Sequence, residues 1–285
     1  MKDIEIYNGF EQGPIRPPSE AESLLIRITR NCPWNRCTFC PVYKNAKFSL
    51  RPVDHVLRDI DTVRMYVDTI VDARNSGIST NKELSESKAD DLNAKHAAYQ
   101  FVSGGMKSIF LQDGNSLIIK PDDLIHILQY LKQAFPMVER ITSYARSHTI
   151  ARISDEHLAR MAAAGLNRIH IGMESGSDKV LSMVKKGTDK ATQILAGRKV
   201  KKAGIELSEY YMPGLGGKTL SKENALETAD ALNQINPDYI RLRTLAMPES
   251  APLTAKFRAG EFDKMGEVDT AGELLLFIDD DIIAD

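Results

Sequence analysis

The chain has almost no cysteine. Three thiols occur in 285 residues, all between Cys32 and Cys40, which excludes a disulfide-stapled scaffold and leaves one thiol over in any internal pairing. The single tryptophan, Trp34, lies in the same stretch. Long apolar runs are missing as well, since nothing approaches the roughly 20 residues of a membrane-spanning helix. The opening residues, MKDIEIYNGFEQGP, lack the apolar centre of a signal peptide. These absences give the expectations of a cytoplasmic location and no membrane contact. Basic charge is not in excess either: the formal net charge is -2 with 27% of residues charged, so composition does not indicate nucleic acid.

What is present is an alternation. Residues 1–23 form a proline-bearing lead-in, and residues 24–285 read as one α/β domain, a length that a single barrel can fill. SLLIRIT reads as the first strand and VDHVLRDIDTVRMYVDTIVDA as the first helix. The pattern then repeats: SIFL with Pro121 to Phe135, RITSY with Ser154 to Ala164, and RIHIGM with Ser177 to Ala203. It continues as IELSEYYM with Ser221 to Gln234, and YIRLRTL with a last helix near Ala271 to Ile283. Ser154 is placed to cap its helix and Gly165 to stop it, while Thr188 and Gly204 bracket DKATQILAGRKVKKA. Six such units with right-handed crossovers predict a partial (β/α)6 barrel of TIM type, open, with parallel strands, because too few residues remain for two more units. A polar insertion at about 75–100 interrupts the rhythm: NSGISTNKELSESK reads as a solvated excursion and ADDLNAKHAAYQFV as a helix.

The thiols of NCPWNRCTFC have C-x4-C-x2-C spacing, so they can converge from one loop on an inorganic centre. Two centres compete. A structural zinc asks for four protein ligands, yet there is no fourth cysteine, and the first histidine after Cys40 is His55, fifteen residues on. A [4Fe-4S] cluster on three thiolates leaves one iron open to a small molecule, and it is the better supplied of the two. MPGLGGKT ends like a phosphate-binding loop, but Met212 stands where G-x4-G-K-[ST] requires glycine, which argues against ATP.

Following a first strand, NCPWNRCTFC resembles the cysteine loop of the radical S-adenosylmethionine (SAM) superfamily, within its tRNA-modifying and coproporphyrinogen-oxidase-like branch. The usual spacing there is C-x3-C-x2-C, so this loop has one residue more in its first gap. The resemblance covers roughly Leu24 to Leu253 and implies a [4Fe-4S] cluster on Cys32, Cys37 and Cys40, with SAM at the open iron. It implies Phe39 near the adenine, and Gln112, Asp113, Gly114 and Asn115 of FLQDGNSLI at the methionine amine. Ser143 is implied as a further cofactor contact, Glu174 of HIGMESGSDKVL as the ribose acceptor, and Met212 and Gly214 as the adenine edge. Strand alternation itself puts Arg168, His170, Gly172 and Glu174 on one face of the fourth strand, with Ile169, Ile171 and Met173 turned to the helices. A structural use competes at several positions: a core aromatic at Phe39, a plain turn at 112–115, a salt bridge at Glu174, and a satisfied core residue at His170.

The implied reaction is reductive cleavage of SAM to a 5'-deoxyadenosyl radical that abstracts hydrogen from an unidentified substrate. The longer first gap admits cleavage to a 3-amino-3-carboxypropyl radical for group transfer, and a non-catalytic iron-sulfur carrier is the reading from another class. A one-electron donor such as flavodoxin or ferredoxin is the implied partner. Candidate substrate contacts are Tyr144 and Arg146 after the third strand, and Arg241 and Arg243 on one face of the sixth, with Ile240 and Leu242 toward the helices. Inward arginines suit an anionic substrate.

Overall fold

In the computed structural model, residues 5–77 and 91–279 are described. The chain forms two compact units, the first from Met1–Asn31, Phe48–Tyr144 and Arg160–Asn167, the second from Cys32–Lys47, Ala145–Ala159 and Arg168–Asp285.

In the first unit, strand β1 (Leu24–Arg27) precedes a short antiparallel pair, β2 (Thr29–Arg30) and β3 (Ser49–Leu50). Strands β1, β4 (Ser108–Gln112) and β5 (Arg140–Ala145) pair in parallel in that order. Helix α1 (Val53–Asn75) buries Val56, Ile60, Val63, Val67 and Ile70, the spacing of one helical face. The predicted helix in the insertion is α2 (Leu92–Ser103), capped by the Asp91 carboxylate on the Ala94 N–H at 3.0 Å. Residues 78–88 of the expected solvated excursion lie outside the described residues. Helix α3 (Pro121–Ala134) opens with proline and two aspartates and carries Lys132 in its last turn, as the helix dipole favours.

A single turn, α4 (Ser147–Ile150), leads to α5 (Asp155–Ala163). Ser154 Oγ accepts the His157 N–H at 3.1 Å, and Gly165 follows at φ 109, so both expected punctuation marks are present. In the second unit, β6 (Leu166–Glu174), β7 (Glu206–Tyr211) and β8 (Tyr239–Leu242) pair in parallel in that order. The fold is α/β with six parallel strands in an open sheet.

Several boundaries differ from expectation. The stretch Ser177 to Ala203 is two helices, α6 (Asp178–Met183) and α7 (Lys190–Lys202), because Lys185 and Gly187 take positive φ between them. Asp189, not Thr188, caps the second, accepting the Thr192 N–H at 2.7 Å. Helix α8 (Gly217–Ile235) starts before Ser221, a short α9 (Pro252–Arg258) was not foreseen, and the last helix, α10 (Glu267–Asp279), starts before Ala271. Ile240 and Leu242, expected to face helices, are 37% and 53% exposed on β8, the last strand of the sheet. Strict alternation also fails at the end of β6, where the register shifts between Ile171 and Glu174 and Glu174 has φ 67.

Candidate active site

The cysteine loop is fixed at its middle by backbone bonds on both sides. The Thr38 N–H donates to Val184 O and the Thr38 carbonyl accepts from the Leu253 N–H, each at 2.9 Å. Phe39 is 8% exposed in an apolar cluster with Val180, Val184, Met212 and Leu253, against which Cys37 and Cys40 pack. The core-aromatic use of Phe39 is therefore real, and it anchors the C-x2-C half of the loop. Within the longer gap, Asn35 lies in the left-handed region at φ 45. Trp34 donates its indole N–H to Lys185 O at 2.7 Å.

Burial pushes the Cys37 thiol up; Lys186 and Arg146 oppose that, and Cys40 and Cys32 add to it. Cys32, Cys40 and the two cations thus all act on Cys37. Among the described residues, no three His, Cys, Asp or Glu side chains gather tightly enough to enclose a single ion. In a four-iron cluster each cysteine holds a different iron, so its donors stand apart. Three thiols with two cations to offset their charge fit that group.

The end of β6 presents a carboxylate that is only half used. Lys186 Nζ donates to Glu174 Oε1 at 3.2 Å, while Oε2 is buried without a hydrogen-bond partner among the described residues. The carboxylate folds back over Gly172, where an added Cβ would stand 2.4 Å from Oε1, so a side chain there would push the carboxylate from this position. Lys186 Nζ also lies 5.7 Å from the centre of the Phe39 ring. Met212 donates its N–H to Glu174 O at 3.0 Å and belongs to the same apolar cluster as Phe39. Gly214 takes φ 80, and its N–H is held by Glu273 at 3.0 Å. Glu273 accepts also from Tyr211 Oη, Ser221 Oγ and Asn224 Nδ2, each at 2.7 Å, so α10 secures the loop after β7.

In the first unit the expected contacts are already engaged. Asp113 is fully buried; its Oδ2 takes Arg27 Nε and Nη2, each at 2.8 Å, and the Asn31 N–H at 3.0 Å. Gln112 binds the lead-in: Oε1 accepts the Gly13 N–H at 2.8 Å, and Nε2 donates to Gly13 O at 3.1 Å and Ile15 O at 2.9 Å. Asn115 is fully buried and Gly114 half-buried. Ser143 Oγ donates to Tyr144 O at 3.1 Å, and Tyr144 meets Phe110 edge-on at 5.1 Å.

The arginines are dispersed. Arg146 donates to Lys186 O at 2.7 Å and stacks on Trp34. Arg241 Nε donates to Ser208 Oγ at 2.9 Å, Arg243 is exposed, and Arg168 pairs with Glu206 at 2.6 Å. His170 is fully buried, its ring centre 6.4 Å from that of Tyr210.

Sequence reasoning missed Lys186, Glu273 and Glu209. Glu209 on β7 is wholly buried, and neither carboxylate oxygen has a hydrogen-bond partner among the described residues. Burial holds it well above the usual carboxylate range, against the pull of Lys186 and with a further push from Glu174. An acid in the middle of IELSEYYM was the available signal.

The pattern of the radical SAM superfamily matches residues 26–229. The chain belongs to that superfamily. Radical SAM enzymes use a [4Fe-4S] cluster and SAM, so both are cofactors of this enzyme. A tRNA uridine(34) acetyltransferase of Methanocaldococcus infernus is 21% identical over 87% of this chain and 47% of its own length. The heme chaperone HemW of Buchnera aphidicola is 23% identical over 82% of this chain and 53% of its own. Coproporphyrinogen III oxidase (HemN) of Escherichia coli shares the fold with a TM-score of 0.58 at 15% identity, covering 90% of this chain and 52% of that one. The chain thus spans about half the length of these relatives. None of its described helices is long and apolar enough to cross a membrane.

Proposed function

We propose that this radical SAM enzyme carries its cluster on Cys32, Cys37 and Cys40, and that the bound cluster supplies the electron that cleaves SAM to a 5'-deoxyadenosyl radical, which takes hydrogen from the substrate. One observation carries the reading: the cysteine loop packs Cys37 and Cys40 against the apolar cluster of Phe39 and Met212, in the unit that also holds a buried Glu174 oxygen without a hydrogen-bond partner among the described residues. Glu174 Oε2 accepts a ribose hydroxyl, which supplies the bond it lacks, while Lys186 fixes Oε1. Phe39 and Met212 form an apolar wall for adenine, and Gly214 allows close backbone approach. Backbone carbonyls of the turn from Gln112 to Asn115 serve the methionine ammonium, because the Asp113 carboxylate is committed to Arg27 and Asn31. Ser143 assists as a further cofactor contact. The partner is a one-electron donor such as flavodoxin or ferredoxin. Arg241, Arg243 and Tyr144 are proposed contacts for an anionic substrate.

The longer first gap favours one second reading, release of a 3-amino-3-carboxypropyl radical. Anaerobic reconstitution tests the proposal: about four irons and four sulfides load per chain, and any single Cys→Ala change removes them. Reduction with dithionite in the presence of SAM then releases 5'-deoxyadenosine. Predominant methylthioadenosine, above a control without enzyme, sinks the first reaction in favour of the second. Tight binding of one zinc and no iron sinks both.

A further inference from the structure

We infer that Arg146 raises the reduction potential of the cluster and that Trp34 holds it in place to do so; the inference rests on the cluster being carried by Cys32, Cys37 and Cys40. Arg146 follows β5 in extended backbone, with φ -96 and ψ 136. Its Nη2 donates to Lys186 O at 2.7 Å and to Gly187 O at 3.4 Å. Its guanidinium carbon lies 5.1 Å from the centre of the Trp34 ring, and that of Arg36 lies at the same distance from the same ring. Trp34 in turn is pinned to the turn that Arg146 grips, through its indole bond to Lys185 O at 2.7 Å. Gly187, at φ 71, lies flat against it: an added Cβ would stand 2.3 Å from the ring. Trp34 of the cysteine loop and the turn before α7 thereby fix one guanidinium.

Burial disfavours the charge on Arg146 and lowers its pKa, and the groups that oppose this are Cys32 and Cys37. Arginine cannot shed that charge, and it is more weakly hydrated than lysine, which suits a partly buried cation beside thiolates. Reduction adds one negative charge to a cluster already ligated by thiolates. A fixed cation nearby stabilises the reduced state more than the oxidised one, so the potential rises. This use of Arg146 differs from the substrate contact expected of it, because its fork is bound to two carbonyls and its face to an indole.

The test is a redox titration of the reconstituted chain followed by electron paramagnetic resonance, with iron measured in the same samples. Arg146→Gln should load iron like the parent and shift the oxidised-to-reduced ratio at least tenfold toward oxidised, about 59 mV for one electron. Arg146→Lys keeps the charge and should stay near the parent. Trp34→Phe loses the indole bond and should move the potential in the direction of the glutamine variant, by less. Arg146→Met gives the same charge loss if the glutamine variant does not load. In the apo chain the single tryptophan should change its fluorescence on Arg146→Gln, a readout independent of iron. Full iron with an unchanged midpoint in both neutral variants overturns the inference alone, as does a lysine variant that falls as far as glutamine. A parent chain that takes up no iron overturns the cluster reading and this inference with it.

Discussion

The turn after β4 in the first unit and the end of β6 in the second both present a buried or nearly buried carboxylate where a SAM contact was expected, but the two differ in what they already hold. Asp113 has Oδ2 held by Arg27 and the Asn31 amide, whereas Glu174 has one oxygen on Lys186 and the other without a hydrogen-bond partner among the described residues. A buried charge with complete partners is accounted for by the fold itself; one with a missing partner costs stability until something supplies the bond. Position at a strand end nominates a ligand contact, and the hydrogen-bond balance decides between binding and scaffolding.

The largest effect is expected of Asp113→Ala, which takes from Arg27, whose side chain is only 14% exposed, its carboxylate partner at 2.8 Å and leaves it the longer contacts to Glu11 at 3.6 Å and Asn31 Oδ1 at 3.5 Å. Urea unfolding should show a loss of about 3 kcal/mol. A variant that kept its stability but lost SAM affinity would reverse the roles assigned to the two carboxylates.

Glu209 stands at the other extreme, a carboxylate with neither oxygen hydrogen-bonded among the described residues. Its folded pKa lies above the ordinary 4.5, so the native chain retains a proton that the unfolded chain releases. Stability is therefore lost as pH rises from that ordinary value through the folded one. Glu209→Gln should be neutral near pH 4 and stabilising by about 2 kcal/mol at pH 8, read from melts at both pH values. A gain independent of pH would mean that Glu209 titrates alike in the folded and unfolded chain.

For Glu174→Gln the expected effect is smaller and lies in binding. SAM affinity should fall about tenfold, or about 1.4 kcal/mol, in a calorimetric titration, with iron content unchanged. Parent-like affinity would return Glu174 to the salt-bridge role. The smallest effect is expected for Gln112→Ala: about 1 kcal/mol of stability and faster proteolysis of the lead-in, with SAM affinity kept. Loss of affinity there would show that the Gln112 side chain serves the cofactor as well as Gly13 and Ile15.

The sequence by itself determined whatever depends on near neighbours along the chain. Three thiols within one loop, the face of α1 repeating every third or fourth residue, and the Ser154 cap all join residues a few positions apart, so spacing alone constrains them. The order of parallel strands followed from the alternation of the same local patterns. Spacing could not reveal which carboxylate was free, because Asp113 meets Arg27 86 residues away and Glu273 meets Tyr211 across 62. Nor could it show that Arg146 turns to Trp34 and the 185–187 turn, or that Ile240 and Leu242 stay partly exposed. Those outcomes belong to the tertiary structure, since a side chain's partner is set by which distant segments packing brings within 3 Å, and a periodic pattern records only that a face is buried, not what lies against it.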